Sequence, residues 1–123
     1  MKILIIDDSS FILTTVFKAL SNEFSDAQIE KASNGMEGFS KYQSFKPDVI
    51  VSDLLMPEMT GQEMISKIRE TDKETKIFVV SADIQAATKN EVIDYGISGF
   101  INKPLQSEKL QLLISCVREA CNA

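Results

Sequence analysis

Four short apolar runs each end in a residue able to do chemistry. Lys2-Ile3-Leu4-Ile5-Ile6 ends in the acidic pair Asp7-Asp8, and Asp48-Val49-Ile50-Val51-Ser52 ends in Asp53. Lys76-Ile77-Phe78-Val79-Val80 ends in the hydroxyl of Ser81, and Gly99-Phe100-Ile101 runs into Lys103, held against Pro104. In an open parallel sheet the carboxyl edge is where ligands bind. Three carboxylates, a hydroxyl and an ammonium group gathered there suit a divalent cation and a phosphoryl group.

Each residue also has a plain structural reading. Asp7 and Asp8 are good helix caps. Lys103 is by default a solvated lysine, and Ser81 alone is an ordinary loop serine. Asp53 resists that treatment, because the strand before it is apolar and a carboxylate at the rim of a core is costly unless paired with a cation. A carboxylate is also a competent nucleophile toward phosphorus, and a hard cation beside it offsets the repulsion of an anionic donor. Pro104 after Lys103 fixes the chain locally and suits a defined turn.

The elements that must position these groups follow from periodicity. Ser9 to Phe24 places Ile12, Leu13, Val16, Phe17 and Leu20 on one helical face, with Ser9 or Asp8 as the cap. Gln28 to Ala32 is a weak strand, and Asn34-Gly35 a turn signal. Gly35 to Phe45 reads as a helix with Met36, Phe39 and Tyr42 inward, stopped by Pro47. Thr60-Gly61-Gln62-Glu63 is a capping-box pattern opening a helix at Gly61 with Met64, Ile65 and Ile68 on its apolar face. Ile84 to Tyr95 is a helix with little apolar content, closed by Gly96. Ile97 to Ile101 is the fifth strand. Ser107 caps the last helix, whose inner face is Leu110, Leu113, Ile114 and Val117. Five strands alternating with five helices predict a parallel sheet covered on both faces.

The chain of 123 residues fits one domain, 1–123, with no room for an output domain. A net charge of −5 argues against broad nucleic-acid binding. No apolar run is long enough for a transmembrane helix or a signal peptide, so no membrane partner and a cytoplasmic location are expected. The absence of histidine excludes Ser-His and Cys-His dyads and means that this chain cannot itself carry a phosphohistidine. Cys116 and Cys121 have no third ligand to build a zinc site and read as buried or idle thiols.

Taken together, Ile3-Leu4-Ile5-Ile6-Asp7-Asp8-Ser9, Asp53-Leu54-Leu55-Met56-Pro57-Glu58-Met59-Thr60-Gly61, Val79-Val80-Ser81-Ala82 and Gly99-Phe100-Ile101-Asn102-Lys103-Pro104 resemble the receiver domain of two-component response regulators. The resemblance spans the whole chain. It implies an α/β, flavodoxin-like (βα)5 three-layer sandwich with strand order 2-1-3-4-5. It implies a stand-alone, chemotaxis-receiver-like switch rather than an enzyme, catalysing only its own phosphorylation and dephosphorylation. Asp53 is then the phosphoacceptor, with Mg²⁺ bound by Asp8, Asp53 and the backbone carbonyl of Leu55, and Asp7 acting through water. Ser81 is the switch hydroxyl, Phe100 the switch aromatic, and Lys103, before a cis bond to Pro104, the partner of the phosphoryl group. Leu55 and Asp83 flank the path of the attacking water and tune the lifetime. The implied partners are a sensor histidine kinase or His-containing phosphotransfer protein, and a downstream target on the fourth helix, fifth strand and fifth helix. Ser at 81, Phe at 100 and Thr at 60 depart from the commoner residues without removing a required group. A phosphotransferase acting on an outside substrate would need a pocket-building insertion, which is lacking. An electron-transfer flavodoxin would place a phosphate where Asp7-Asp8 repel it.

Overall fold

A computed structural model describes residues 1–56, 58–82 and 85–122. The elements in chain order are β1 (Lys2–Ile6), α1 (Ser10–Glu23), β2 (Gln28–Ala32), α2 (Gly35–Phe45), β3 (Val49–Ser52), α3 (Gly61–Arg69), β4 (Lys76–Ser81), α4 (Ala86–Asp94), β5 (Gly99–Asn102) and α5 (Ser107–Asn122). All strand pairings are parallel, in the order β2-β1-β3-β4-β5.

The unbroken apolar runs are explained by burial on both faces. Ile3, Leu4, Ile5 and Ile6 are at most 1% exposed. Their side chains alternate between two cores, as the two-residue period of a strand requires. Ile3, Ile5, Val49, Val51, Phe78, Val80 and Ile101 pack with Leu13, Val16 and Leu20 of α1 and Leu113, Ile114 and Val117 of α5. Leu4, Ile6, Ile50, Ile77 and Val79 pack with Met64, Ile65 and Ile68 of α3 and Val92 of α4. The edge strand β2 leaves Gln28, Glu30 and Lys31 exposed, which accounts for its weak apolar signal and discourages further strand pairing.

The helix starts follow local chemistry. Ser9 Oγ accepts from the Ile12 amide at 3.3 Å, so Ser9 caps α1. Asn34, expected in a turn, caps α2 by accepting from the Glu37 amide at 2.8 Å. Thr60 caps α3 as anticipated, but Glu63 returns to the Thr60 hydroxyl at 3.1 Å rather than to its backbone amide.

Two expectations need correction. Met36 is 54% exposed, because Gly35 and Gly38 are the α2 residues pressed against the protein, while Phe39 and Tyr42 do pack inward. Ser107 is the first residue of α5 rather than its cap; the Gln106 carbonyl takes the amides of Lys109 and Leu110. Cys116 is half-buried and Cys121 exposed. The fourth helix is described from Ala86, and Ile84 lies outside the described residues.

At the amino-terminal end of the sheet a polar network ties the helices together. The Arg69 guanidinium donates to the carbonyls of Thr75 and Tyr95 at 2.8 Å, of Asp72 at 3.0 Å and of Gly96 at 3.1 Å. The Asp72 carboxylate accepts from Tyr42 Oη at 2.7 Å, from the Thr75 hydroxyl and from the amides of Glu74 and Thr75. Burial alone would raise the Asp72 carboxyl, but these hydrogen bonds outweigh it and hold the group well below the usual carboxylate range. Tyr42 is pushed up to about 12 by burial, then by its hydrogen bond to Asp72 and the charge there.

A raised phenol contributes stability that is complete below its unfolded value of about 10 and is lost as pH rises through the folded one. Tyr42→Phe is therefore expected to cost about 1.5 kcal/mol near neutrality, the worth of a hydrogen bond to a charged group. The gap from wild type should close between about pH 9 and about pH 12. Urea unfolding midpoints across that range test it, and a constant gap would show that the bond carries no linkage.

Candidate functional site

The register of the sheet brings the chemical groups together. Ile6 pairs with Ser52, and Ser52 with Val79, so the residues that follow β1 and β3 lie side by side at the carboxyl edge. Those residues are Asp7 and Asp53. β1 is flanked by β2 on one side and β3 on the other, so consecutive crossovers leave in opposite directions here, the switch point at which doubly wound sheets form their crevice. Ser81 ends β4 opposite Asn102 of β5, and the Lys103 amide donates to the Ser81 carbonyl at 2.8 Å, setting Lys103 level with the serine. The Lys103-Pro104 peptide bond is cis, as the resemblance implies.

Asp53 is 4% exposed and fully engaged. Its Oδ1 accepts from Ser81 Oγ at 2.8 Å, from the Leu54 amide at 2.7 Å and from the Leu55 amide at 3.3 Å. Its Oδ2 faces Lys103 Nζ at 3.1 Å. The same ammonium lies 2.9 Å from Asp7 Oδ2, and Asp7 Oδ1 accepts from the Ser9 amide at 2.9 Å. Asp7 is thus both a turn cap and a site residue. It is also the more buried of the acidic pair, whereas Asp8 is exposed.

One carboxylate oxygen from each of Asp7, Asp8 and Asp53 lies within 4.8 Å of the others. Three carboxylates against one ammonium leave an excess of negative charge, and the donors are all hard oxygens. That donor set fits Mg²⁺, which takes one or two carboxylates and keeps several waters. Burial pushes the Asp7 carboxyl up despite its hydrogen bonds to Lys103 and Ser9, and the Asp53 charge adds to this. Burial would lower the Lys103 ammonium, but the hydrogen bond to Asp7 and the charges of Asp53 and Asp7 more than offset it, and it is raised. Lys103 therefore stays charged between two carboxylates.

The loop from Asp53 to Thr60 is held from both sides by glycines. A Cβ on Gly61 would lie 2.3 Å from the Asp53 carbonyl oxygen, and one on Gly35 would lie 2.2 Å from that of Met59. Helices α3 and α2 can approach this loop so closely only without a side chain at those positions. Glu58 in the same loop has φ 67°, a left-handed conformation that costs a non-glycine residue about 1 kcal/mol.

A sequence profile of the response regulator receiver domain matches residues 3–115. The chain belongs to that family. This receiver domain is 36% identical over 109 residues to chemotaxis protein CheY of Thermotoga maritima, covering 89% of the chain and 90% of that protein. It is 34% identical over 110 residues to chemotaxis protein CheY of Listeria monocytogenes, covering 89% and 92%. Among solved structures it resembles chemotaxis response regulator CheY4 of Vibrio cholerae, with TM-score 0.82, 32% identity and coverage of 94% and 97%. The observed strand order makes it a CheY-like, flavodoxin-like receiver.

Of the remaining residues singled out by sequence, the Leu55 side chain is 57% exposed at the mouth of the site. Phe100 lies half-buried on the edge strand β5, packed against the core beneath α3 and α4, with Lys89 Nζ 5.0 Å from its ring centroid. Asp83 lies outside the described residues. The contact between Lys89 and Phe100 escaped sequence reading, because a cation above an aromatic ring on another element has no local spacing signal. No described helix is long and apolar enough to cross a membrane.

Proposed function

We propose that this receiver accepts a phosphoryl group on Asp53 and uses it to change its protein-binding surface. The observation that carries the reading is the convergence on one buried carboxylate of Ser81 Oγ at 2.8 Å and Lys103 Nζ at 3.1 Å, beside Asp7 and Asp8.

Asp8, Asp53 and the Leu55 carbonyl would hold Mg²⁺, with Asp7 assisting through water. When bound, the ion supplies positive charge that offsets repulsion between the carboxylate and an anionic phosphoryl donor. Asp53 provides the nucleophile. Its oxygen forms a bond to phosphorus as the bond from phosphorus to the donor nitrogen breaks, and the imidazole leaves with the electron pair and takes a proton. Lys103 and the Ser81 hydroxyl then turn from the carboxylate to the new phosphoryl oxygens, as charge-assisted partners. Hydrolysis reverses the charge change: water oxygen bonds to phosphorus, inorganic phosphate leaves and the carboxylate returns. Leu55, apolar and exposed, cannot orient that water by hydrogen bonding, whereas the carboxylate of Asp83 can.

The donor is a phosphohistidine on a sensor kinase or phosphotransfer protein, since this chain has no histidine and no Gly-rich nucleotide loop of the Lys-Ser/Thr type. The chemistry is confined to the chain's own modification, in the cytoplasm. Displacement of Ser81 toward the phosphoryl group opens space for Phe100, and the α4-β5-α5 face is the output surface.

Two experiments test this. Incubation with ATP alone is expected to leave the chain unlabelled, and addition of a phosphorylated histidine-containing protein to label it; labelling by ATP alone would overturn the choice of donor. Mg²⁺ is expected to bind the unphosphorylated chain, with Asp8→Asn weakening it at least about tenfold through lost charge and lost ligation. NMR titration reads the affinity, and an unchanged value would move the ion elsewhere.

A further inference from the structure

We propose that Lys89 is a positioning residue for Phe100, a cationic clamp that joins the first half of α4 to β5 and sets the ease with which the ring reorients. The proposal rests on the functional reading above, in which Phe100 is the switch aromatic.

Helix α4 is weakly held at its start. Gln85 occupies the cap position without a side-chain hydrogen bond. Among the described side chains of α4 only Val92, in its last half, is buried. The far end is held differently, since the carbonyls of Tyr95 and Gly96 accept from Arg69 at 2.8 Å and 3.1 Å. Among the described residues, the helix is therefore anchored beyond its carboxyl end and has fewer holds at the end nearest Ser81.

Lys89 lies in that loose half. Its Nζ sits 5.0 Å from the centroid of the Phe100 ring, within the range of a cation–π attraction. Among the described residues it forms no salt bridge. The other cation–π pairs of the protein, such as Lys31 over Phe17 and Lys67 over Phe39, lie on different elements and cannot substitute for it. A ring that turns, or a helix start that shifts, must break this contact. The ammonium thus couples two motions that would otherwise be independent.

An exposed cation–π contact is worth about two- to fivefold in a conformational equilibrium. Lys89→Met keeps the aliphatic stem and removes the charge, and Lys89→Arg keeps a cation able to stack. Lys89 is exposed, so both variants should fold. The first readout is the Phe100 side chain in the unmodified protein, from its NMR couplings with selectively labelled phenylalanine. Lys89→Met is expected to show more rotamer averaging than wild type, and Lys89→Arg to match wild type. The second is titration with beryllofluoride, a phosphoryl mimic. Its half-saturating concentration should fall about two- to fivefold in Lys89→Met, stay at the wild-type value in Lys89→Arg, and be insensitive to Lys89→Met in a Phe100→Leu background.

Unchanged couplings in Lys89→Met, or the same fall in the Phe100→Leu background, would overturn the clamp. Beryllofluoride that leaves wild-type Phe100 signals unmoved would overturn the functional reading instead, and the couplings of the unmodified protein would still decide whether Lys89 positions the ring.

Discussion

Asp53→Asn is expected to abolish phosphoryl labelling. Wild-type protein incubated with acetyl phosphate and Mg²⁺ should gain one phosphoryl group by mass spectrometry, and the variant none. The substitution is nearly isosteric, so the amide oxygen can still accept from Ser81 Oγ, Leu54 and Leu55, the partners that hold Asp53 Oδ1. What it removes is the anionic nucleophile and one half of the pairing with Lys103. Asn labels poorly because an amide oxygen is a far weaker nucleophile than a carboxylate and its product cannot be a simple acyl phosphate. Undiminished labelling would place the acceptor elsewhere, with Asp7 and Asp8 the first alternatives to test. An unfolded variant is not a concern, since loss of one carboxylate lowers the negative charge crowded at the edge.

The second large effect is on stability. Lys103 Nζ lies 2.9 Å from Asp7 and 3.1 Å from Asp53, and the two carboxylates are only 3% and 5% exposed at their side chains. Lys103→Met would leave both buried, near each other and without their cation. Breaking a buried pair on one side is expected to cost on the order of 3 kcal/mol at neutral pH without added metal. The sign of its pH dependence follows from linkage. Asp7 already stands above its ordinary value through burial, and without the lysine, whose hydrogen bond and charge lower it, it rises further. A group raised in the folded state stabilises at low pH and loses that contribution as pH rises through its folded value. The deficit of Lys103→Met should therefore shrink as the pH is lowered from neutrality toward the ordinary carboxylate range at about 4. Denaturant unfolding at both ends of that range measures it. A deficit that grows on acidification would mean that the lysine does not neutralise these carboxylates.

Much of this site was legible because its groups sit at ends of strands whose interiors are unbroken apolar runs. Ile3 to Ile6 and Val49 to Ser52 are buried on both faces, which made the runs visible and put Asp7, Asp53 and Ser81 at a common edge. What stayed hidden depended on side chains meeting across elements. The Asp72 network draws on Tyr42 of α2, expected inward but with no visible partner for its hydroxyl, and on Thr75 before β4. Met36 looked inward because a helical face was drawn through the largest apolar residues, whereas the tight approach of α2 to the Met59 carbonyl and to Ile6 selects glycines instead. Ser107 looked like a cap by type, but the helix begins one residue earlier in its hydrogen bonding, at the Gln106 carbonyl. Which of the acidic pair turns inward was not legible either: Asp7 is buried and Asp8 lies at the surface.

The site draws its parts from separate βα units, with a consequence for how the chain matures. Ser81 meets Asp53 across 28 residues, Lys103 meets Asp53 across 50, and Lys103 meets Asp7 across 96. Closing the longest of these loops carries the greatest entropic cost and comes with the docking of β5. An intermediate in which β1, β3 and β4 have paired but β5 has not would hold the acids without their lysine. It would be electrostatically unsettled and chemically incompetent. On the proposed function, competence to accept a phosphoryl group would therefore arrive only with completion of the sheet, when the last strand is in place.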